Sequence, residues 1–97
     1  MKLLTEDIKK NLPEIGSTDG QGLEAVVQVK FFTPDSSWTW FATEFDGQDT
    51  FYGYVDGLAG EFGYFSLSEL ESVEGPMGLK IERDIVFEPV PLKEVVK

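Results

Sequence analysis

Trp38-Thr39-Trp40-Phe41-Ala42-Thr43-Glu44-Phe45, Asp46-Gly47-Gln48-Asp49 and Thr50-Phe51-Tyr52-Gly53-Tyr54-Val55 run consecutively, and their reading decides the fold. Aromatic and β-branched residues fill both outer segments, and Asp-Gly between them suits a tight reversal. The stretch therefore reads as an antiparallel hairpin. Strict alternation puts Trp38, Trp40, Ala42 and Glu44 on one face of its first strand, with Thr39, Phe41, Thr43 and Phe45 on the other. Both faces carry large rings. One reading packs one face in the main core and the other under a helix. The alternative leaves an aromatic patch, near Trp38 and Tyr52, as an anchor for another protein.

Working outward, Ala25 to Phe32 reads as a preceding strand, with Ala25, Val27, Val29 and Phe31 on one face. Thr33-Pro34-Asp35-Ser36-Ser37 makes the turn between. Gly57-Leu58-Ala59-Gly60 reverses the chain again, and Gly63 to Phe65 forms a short fourth strand. Ser66 with Glu69 three residues on is a capping-box pattern, so a helix opens there with Leu67, Leu70 and Val73 inward. Gly75-Pro76 ends it. Lys80 to Phe87 reads as a fifth strand, with Ile81, Arg83, Ile85 and Phe87 on one face. Pro91 starts a last short helix through Val96.

At the other end, Thr5 caps a short helix carrying Ile8 and Leu12 on one face, and Pro13 stops it. Gly16 to Gly22 is a loop by composition, expected to be mobile. The sum is an α+β fold in one domain, residues 1–97: about five antiparallel strands and two or three short helices. Trp40, Phe31, Phe45, Leu67, Leu70 and Ile85 are expected in the core.

Composition narrows the function classes. The chain has 97 residues, 41% hydrophobic, with a formal charge of −10 and neither Cys nor His. Disulfides, thiolate sites and cysteine nucleophiles are excluded, and the commonest general base and metal ligand are missing. No apolar run is long enough for a membrane span, and Met1-Lys2-Leu3-Leu4 runs straight into Thr5-Glu6-Asp7 without a signal-peptide core. The expected location is cytoplasmic. No cofactor is expected, and so acidic a chain should bind neither nucleic acid nor an anionic membrane by itself.

The charge is unevenly spread. No Lys or Arg lies between Phe31 and Leu79, whereas that stretch holds nine acids: Asp35, Glu44, Asp46, Asp49, Asp56, Glu61, Glu69, Glu71 and Glu74. Of these, Asp46, Asp49, Asp56, Glu61, Glu69, Glu71 and Glu74, with Trp38 and Tyr52, are the candidate contact residues for a basic partner protein. The plainer reading is a solvated surface that keeps the chain in solution. Asp46, Asp49 and Asp56, or Glu44, are the residues a carboxylate-based metal-dependent enzyme would use, although the spacing of a calcium loop is absent. Glu44 and Arg83 fall on apolar sides of their strands, so a buried Glu44–Arg83 ion pair accounts for both. A functional Arg83 is the alternative. No nucleophile motif appears. The sequence leaves the oligomeric state open.

Several longer segments stand in order along the chain: Lys30-Phe31-Phe32-Thr33-Pro34, Ser37-Trp38-Thr39-Trp40, Ala42-Thr43-Glu44-Phe45-Asp46, Gly63-Tyr64-Phe65-Ser66-Leu67-Ser68-Glu69-Leu70, Gly75-Pro76-Met77-Gly78-Leu79 and Ile81-Glu82-Arg83-Asp84. Together they resemble the bacterial domain-of-unknown-function family catalogued as 2958, from Met1-Lys2-Leu3-Leu4-Thr5 to Pro91-Leu92. The resemblance implies a small bacterial protein of plasmids, phages and other mobile elements, sometimes beside anti-restriction modules. It carries no agreed activity and no agreed catalytic residues, so it assigns no site. Two functions follow as expectations: an acidic, non-catalytic accessory protein that contacts a basic partner in a mobile-element or anti-defence setting, or a metal-dependent hydrolase.

Overall fold

The computed structural model describes residues 1–96. Its elements in chain order are α1 (Glu6–Lys9), β1 (Val26–Val27), β2 (Val29–Phe32), β3 (Thr39–Phe45), β4 (Thr50–Asp56), β5 (Gly60–Ser66), α2 (Leu67–Ser72), β6 (Glu82–Arg83) and β7 (Val90–Pro91). Single 3-10 turns lie at Gly22–Glu24 and Leu92–Glu94. Five strands form one antiparallel sheet in the order β5-β4-β3-β2-β6, and β1 pairs with β7 in a small second sheet. The fold is α+β, as the patterning predicts, with two short α-helices among the described residues.

The β3–β4 hairpin is the centre of the sheet. Asp46 Oδ1 accepts from the backbone N–H groups of Gln48, Asp49 and Thr50 at 2.8–3.0 Å, which closes the reversal. Register runs from Phe45↔Phe51 to Thr39↔Asp56, with a bulge between Ala42 and Glu44. Thr43 is the extra residue, and its hydroxyl donates to the carbonyl of Tyr52 at 3.1 Å. Gly53 sits opposite, where a Cβ would stand 1.8 Å from the Phe41 carbonyl oxygen. The bulge moves every later side chain of β3 to the other face. Phe45 thereby joins Ala42 and Trp40, and Glu44 joins Phe41, against strict alternation.

Phe51, fully buried, organises the larger core. Its ring lies 4.5 Å from Phe45, 5.3 Å from Phe65 and 5.5 Å from Phe31. Leu3, Leu4 and Leu12 from the N-terminal segment, Leu70 from α2 and Ile81 complete this face. Phe31, Phe45 and Leu70 are buried as expected, while Trp40 and Leu67 are partly buried. The opposite face carries a smaller cluster of Ala25, Val27, Phe41 and Leu92, against which Tyr54 and Phe87 pack.

That second cluster explains why Ala25–Phe32 is not one strand. The chain breaks step at Gln28, whose N–H donates to the Ala42 carbonyl. Val27 then packs on one side of the sheet and Val29 on the other. The expected fifth strand, Lys80–Phe87, shrinks to Glu82–Arg83. Asp84 starts a turn there: its carboxylate accepts from the Val86 N–H and its carbonyl from the Phe87 N–H. Ile85 is consequently 72% exposed, outside the core. β5 is longer than expected. Pro91 ends a strand rather than opening a helix, and only the 3-10 turn at Leu92–Glu94 follows.

α2 forms where the capping box predicts. Ser66 Oγ accepts from the Glu69 N–H at 3.1 Å and donates to its carboxylate. Asp49 adds a second anchor, accepting from the Ser68 N–H and hydroxyl, each at 2.9 Å. The helix ends at Ser72, with Val73 extended, before Gly75-Pro76 is reached. Among the described residues no helix is long and apolar enough to cross a membrane.

Candidate functional site

Glu44 and Arg83 do not pair. Glu44, only 1% exposed, turns toward the Gly16–Gly22 loop. Its Oε1 accepts from the Gly16 N–H at 2.7 Å, and its Oε2 accepts from the Thr18 N–H at 2.8 Å and from the Thr18 hydroxyl. Burial alone raises the Glu44 carboxyl pKa. The hydrogen bonds from the Thr18 hydroxyl and from the Gly16 and Thr18 amides outweigh it and hold the group below its ordinary range. The loop is thus tied to β3 at Gly16 and Thr18. Arg83 points elsewhere: its guanidinium Nη1 donates to the carbonyls of Lys2 and Leu3. The β3 bulge explains why the expected pair does not form, because it puts Glu44 on the face away from Trp40 and the N-terminal segment.

The acids named from the sequence separate into groups. Asp46, Asp49 and Glu69 lie at one end of β4, and all three already hold backbone or hydroxyl groups. The three backbone amides at Asp46 also hold its carboxyl below the ordinary value. Asp56 and Glu61 lie at the opposite end of β4, seven residues from Asp49 and so about 20–25 Å away. Asp46, Asp49 and Asp56 therefore do not converge. Among the described residues no three carboxylates come close enough to share a metal ion. Glu71 lies on α2, and Glu74 forms a β-bridge with Lys80.

The three ion pairs among the described residues are Lys10–Asp7, Lys30–Asp84 and Lys93–Glu24. Every acid in them lies outside the stretch from Phe31 to Leu79. The nine central carboxylates have no basic partner among the described residues.

The two candidate aromatics stand on opposite faces. Trp38 stacks on Trp40 with ring centroids 5.9 Å apart, over the backbone of Gly57, and is 38% exposed. The two indoles floor a groove of about 480 Å³, walled by Thr33, Ser36, Val73, Glu74 and Pro76. Tyr52 belongs to the other side, edge-on to Tyr64 at 5.0 Å and parallel to Phe62 at 6.3 Å.

Asp35 is a residue that sequence reasoning missed. Its Oδ2 accepts from the Met77 N–H at 2.7 Å, pinning the turn that follows α2 against the β2–β3 turn. Its Oδ1 is out of solvent with no hydrogen-bond partner among the described residues. Asp in a Pro-Asp-Ser turn gives no sign of a contact forty-two residues away.

The molecule defined here is a small α+β protein with a two-sided antiparallel sheet, an acidic centre and a tryptophan-floored groove. The chain belongs to the family of proteins of unknown function DUF2958, whose model matches residues 3–95. No curated protein and no solved structure matches it.

Proposed function

We propose that this chain is a non-catalytic binding module of the cytoplasm that contacts a basic partner protein, in a mobile-element or anti-defence setting. The setting rests on the family resemblance. The contact rests on one observation: the Trp38–Trp40 groove, with Glu74 in its wall, opens within a stretch whose carboxylates have no basic partner among the described residues. Exposed indole faces attract the guanidinium or ammonium group of a partner's Arg or Lys, and a carboxylate beside them adds to the attraction. Rings held by packing lose little entropy on binding, which suits them as anchors. Asp56, Glu61, Glu71 and Glu74 supply the surrounding field that steers a basic surface inward. Asp46, Asp49 and Glu69 serve the fold first.

Affinity capture from host extract, followed by association kinetics on the captured protein, tests this reading. Trp38→Ala should weaken binding, and the quadruple change Asp56→Asn, Glu61→Gln, Glu71→Gln, Glu74→Gln should slow association by about tenfold at low salt. Rates that neither variant alters, or binding that is insensitive to salt, would sink the proposal.

A further inference from the structure

β5 (Gly60–Ser66) is the outer strand of the five-stranded sheet, seven residues long and paired without a register shift along its inner edge. The ladder fixes which of its backbone groups are free. The Leu67 N–H donates to the Asp49 carbonyl at 2.8 Å, one step beyond the Thr50↔Ser66 pair. Hydrogen-bonded pairs alternate along an antiparallel ladder, so Glu61, Gly63 and Phe65 bond to β4. Phe62 and Tyr64 turn their N–H and C=O groups outward. Native edges of this length are commonly blunted by Lys, Pro or a bulge. β5 has none of the three.

Gly63 stands at the middle of this strand without a reason inside the monomer. Its φ is not positive, and a Cβ there would meet nothing within 4 Å. Glycine inside a strand is destabilising against alanine, and it marks places where another backbone comes close. Gly53, its neighbour across the ladder, is accounted for by the Phe41 carbonyl; Gly63 is not.

We infer that β5 is a homodimerisation edge: a second copy adds its own β5 antiparallel, with the two-fold axis through Gly63. This register follows from the outward groups. Phe62 of one copy then faces Tyr64 of the other as a hydrogen-bonded pair, and the reverse, giving four backbone bonds. Gly63 faces its own copy as the close, non-hydrogen-bonded pair, Cα atoms about 4.5 Å apart. Glu61 faces Phe65, so no like charges stand directly opposite. On the open face, Phe62 (42% exposed) and Tyr64 (66% exposed) extend the ring ladder already formed with Tyr52 and Tyr54. Each copy carries −10, so the association strengthens as salt rises, opposite to contact with a basic partner.

The chain has no cysteine, so an introduced one reports its own neighbourhood. A Gly63→Cys variant should oxidise to a covalent dimer at least about tenfold faster than Leu58→Cys, because the pairing holds the two thiols at a high effective concentration. Leu58, 97% exposed, gives the rate of random collision. Sedimentation of the unmodified chain should show mass rising from 10.9 kDa toward twice that with concentration, more readily in high salt. Gly63→Glu and Gly63→Lys should each be weaker dimers alone and should associate when mixed. Equal cross-linking rates, a monomer at every concentration and salt, or a dimer that the charge changes leave alone would overturn the inference.

Discussion

The carboxylate of Glu44 accepts both the backbone N–H and the hydroxyl of Thr18, twenty-six residues earlier in the chain. Through this one acid the central strand holds a loop of the opposite face in place. The β3 bulge makes the contact geometrically available, and burial makes it strong.

Glu44→Gln should therefore destabilise the protein by about 1–3 kcal/mol, since an amide cannot accept all three bonds and leaves a buried donor unmatched. The pH dependence should change as well. A carboxyl whose folded pKa is depressed adds stability that is fully present above its ordinary value of 4.5. That stability is lost as pH falls through the lower folded value. Urea unfolding between neutral and acid pH should show a smaller acid loss in the variant.

Arg83→Met tests the second long-range tie. Methionine keeps the aliphatic stem but cannot donate to the Lys2 and Leu3 carbonyls. We expect a loss of about 1–2 kcal/mol and faster amide hydrogen exchange over the first four residues. An ion-pair role with Glu44 would instead make Arg83→Met and Glu44→Gln strongly non-additive. The structure predicts simple additivity in a double-mutant cycle.

Leu70→Ala removes the one fully inward side chain of α2, 3% exposed in the larger core. A cost of about 2–5 kcal/mol in denaturant unfolding is expected from lost burial and the cavity left behind. Ile85→Ala, at 72% exposure, should change stability by less than about 0.5 kcal/mol.

The chain alone should not shift single- or double-stranded DNA in a gel at 50 mM salt or above, about the strength at which phosphate contact is still strong. Its charge of −10 releases no counterions on approach to phosphate. Binding in the micromolar range would point to the basic residues Lys80 and Arg83.

Local chemistry was enough to place the hairpin, the α2 cap and the short helix at Glu6–Lys9, because turn residues and capping side chains act within three or four positions. Phe31 and Leu70 were legible as core for the same reason: apolar period follows backbone period. Phe45 is buried as well, but on the face opposite to the one alternation assigns it. The composition by itself determined the absence of thiol and imidazole chemistry and the acidic centre. What only the tertiary structure decided are the events with no local signature. A single extra residue at Thr43 reverses which face Glu44 occupies, and alternation cannot register an insertion that is stabilised by a strand nine residues on. The break at Gln28 arises because Val27 and Val29 serve different cores. Asp35, Thr18 and Arg83 find partners across the fold, where sequence distance conveys nothing about proximity. Asp49 and Asp56 separate because an extended strand holds its ends about 20–25 Å apart, however short the chain between them.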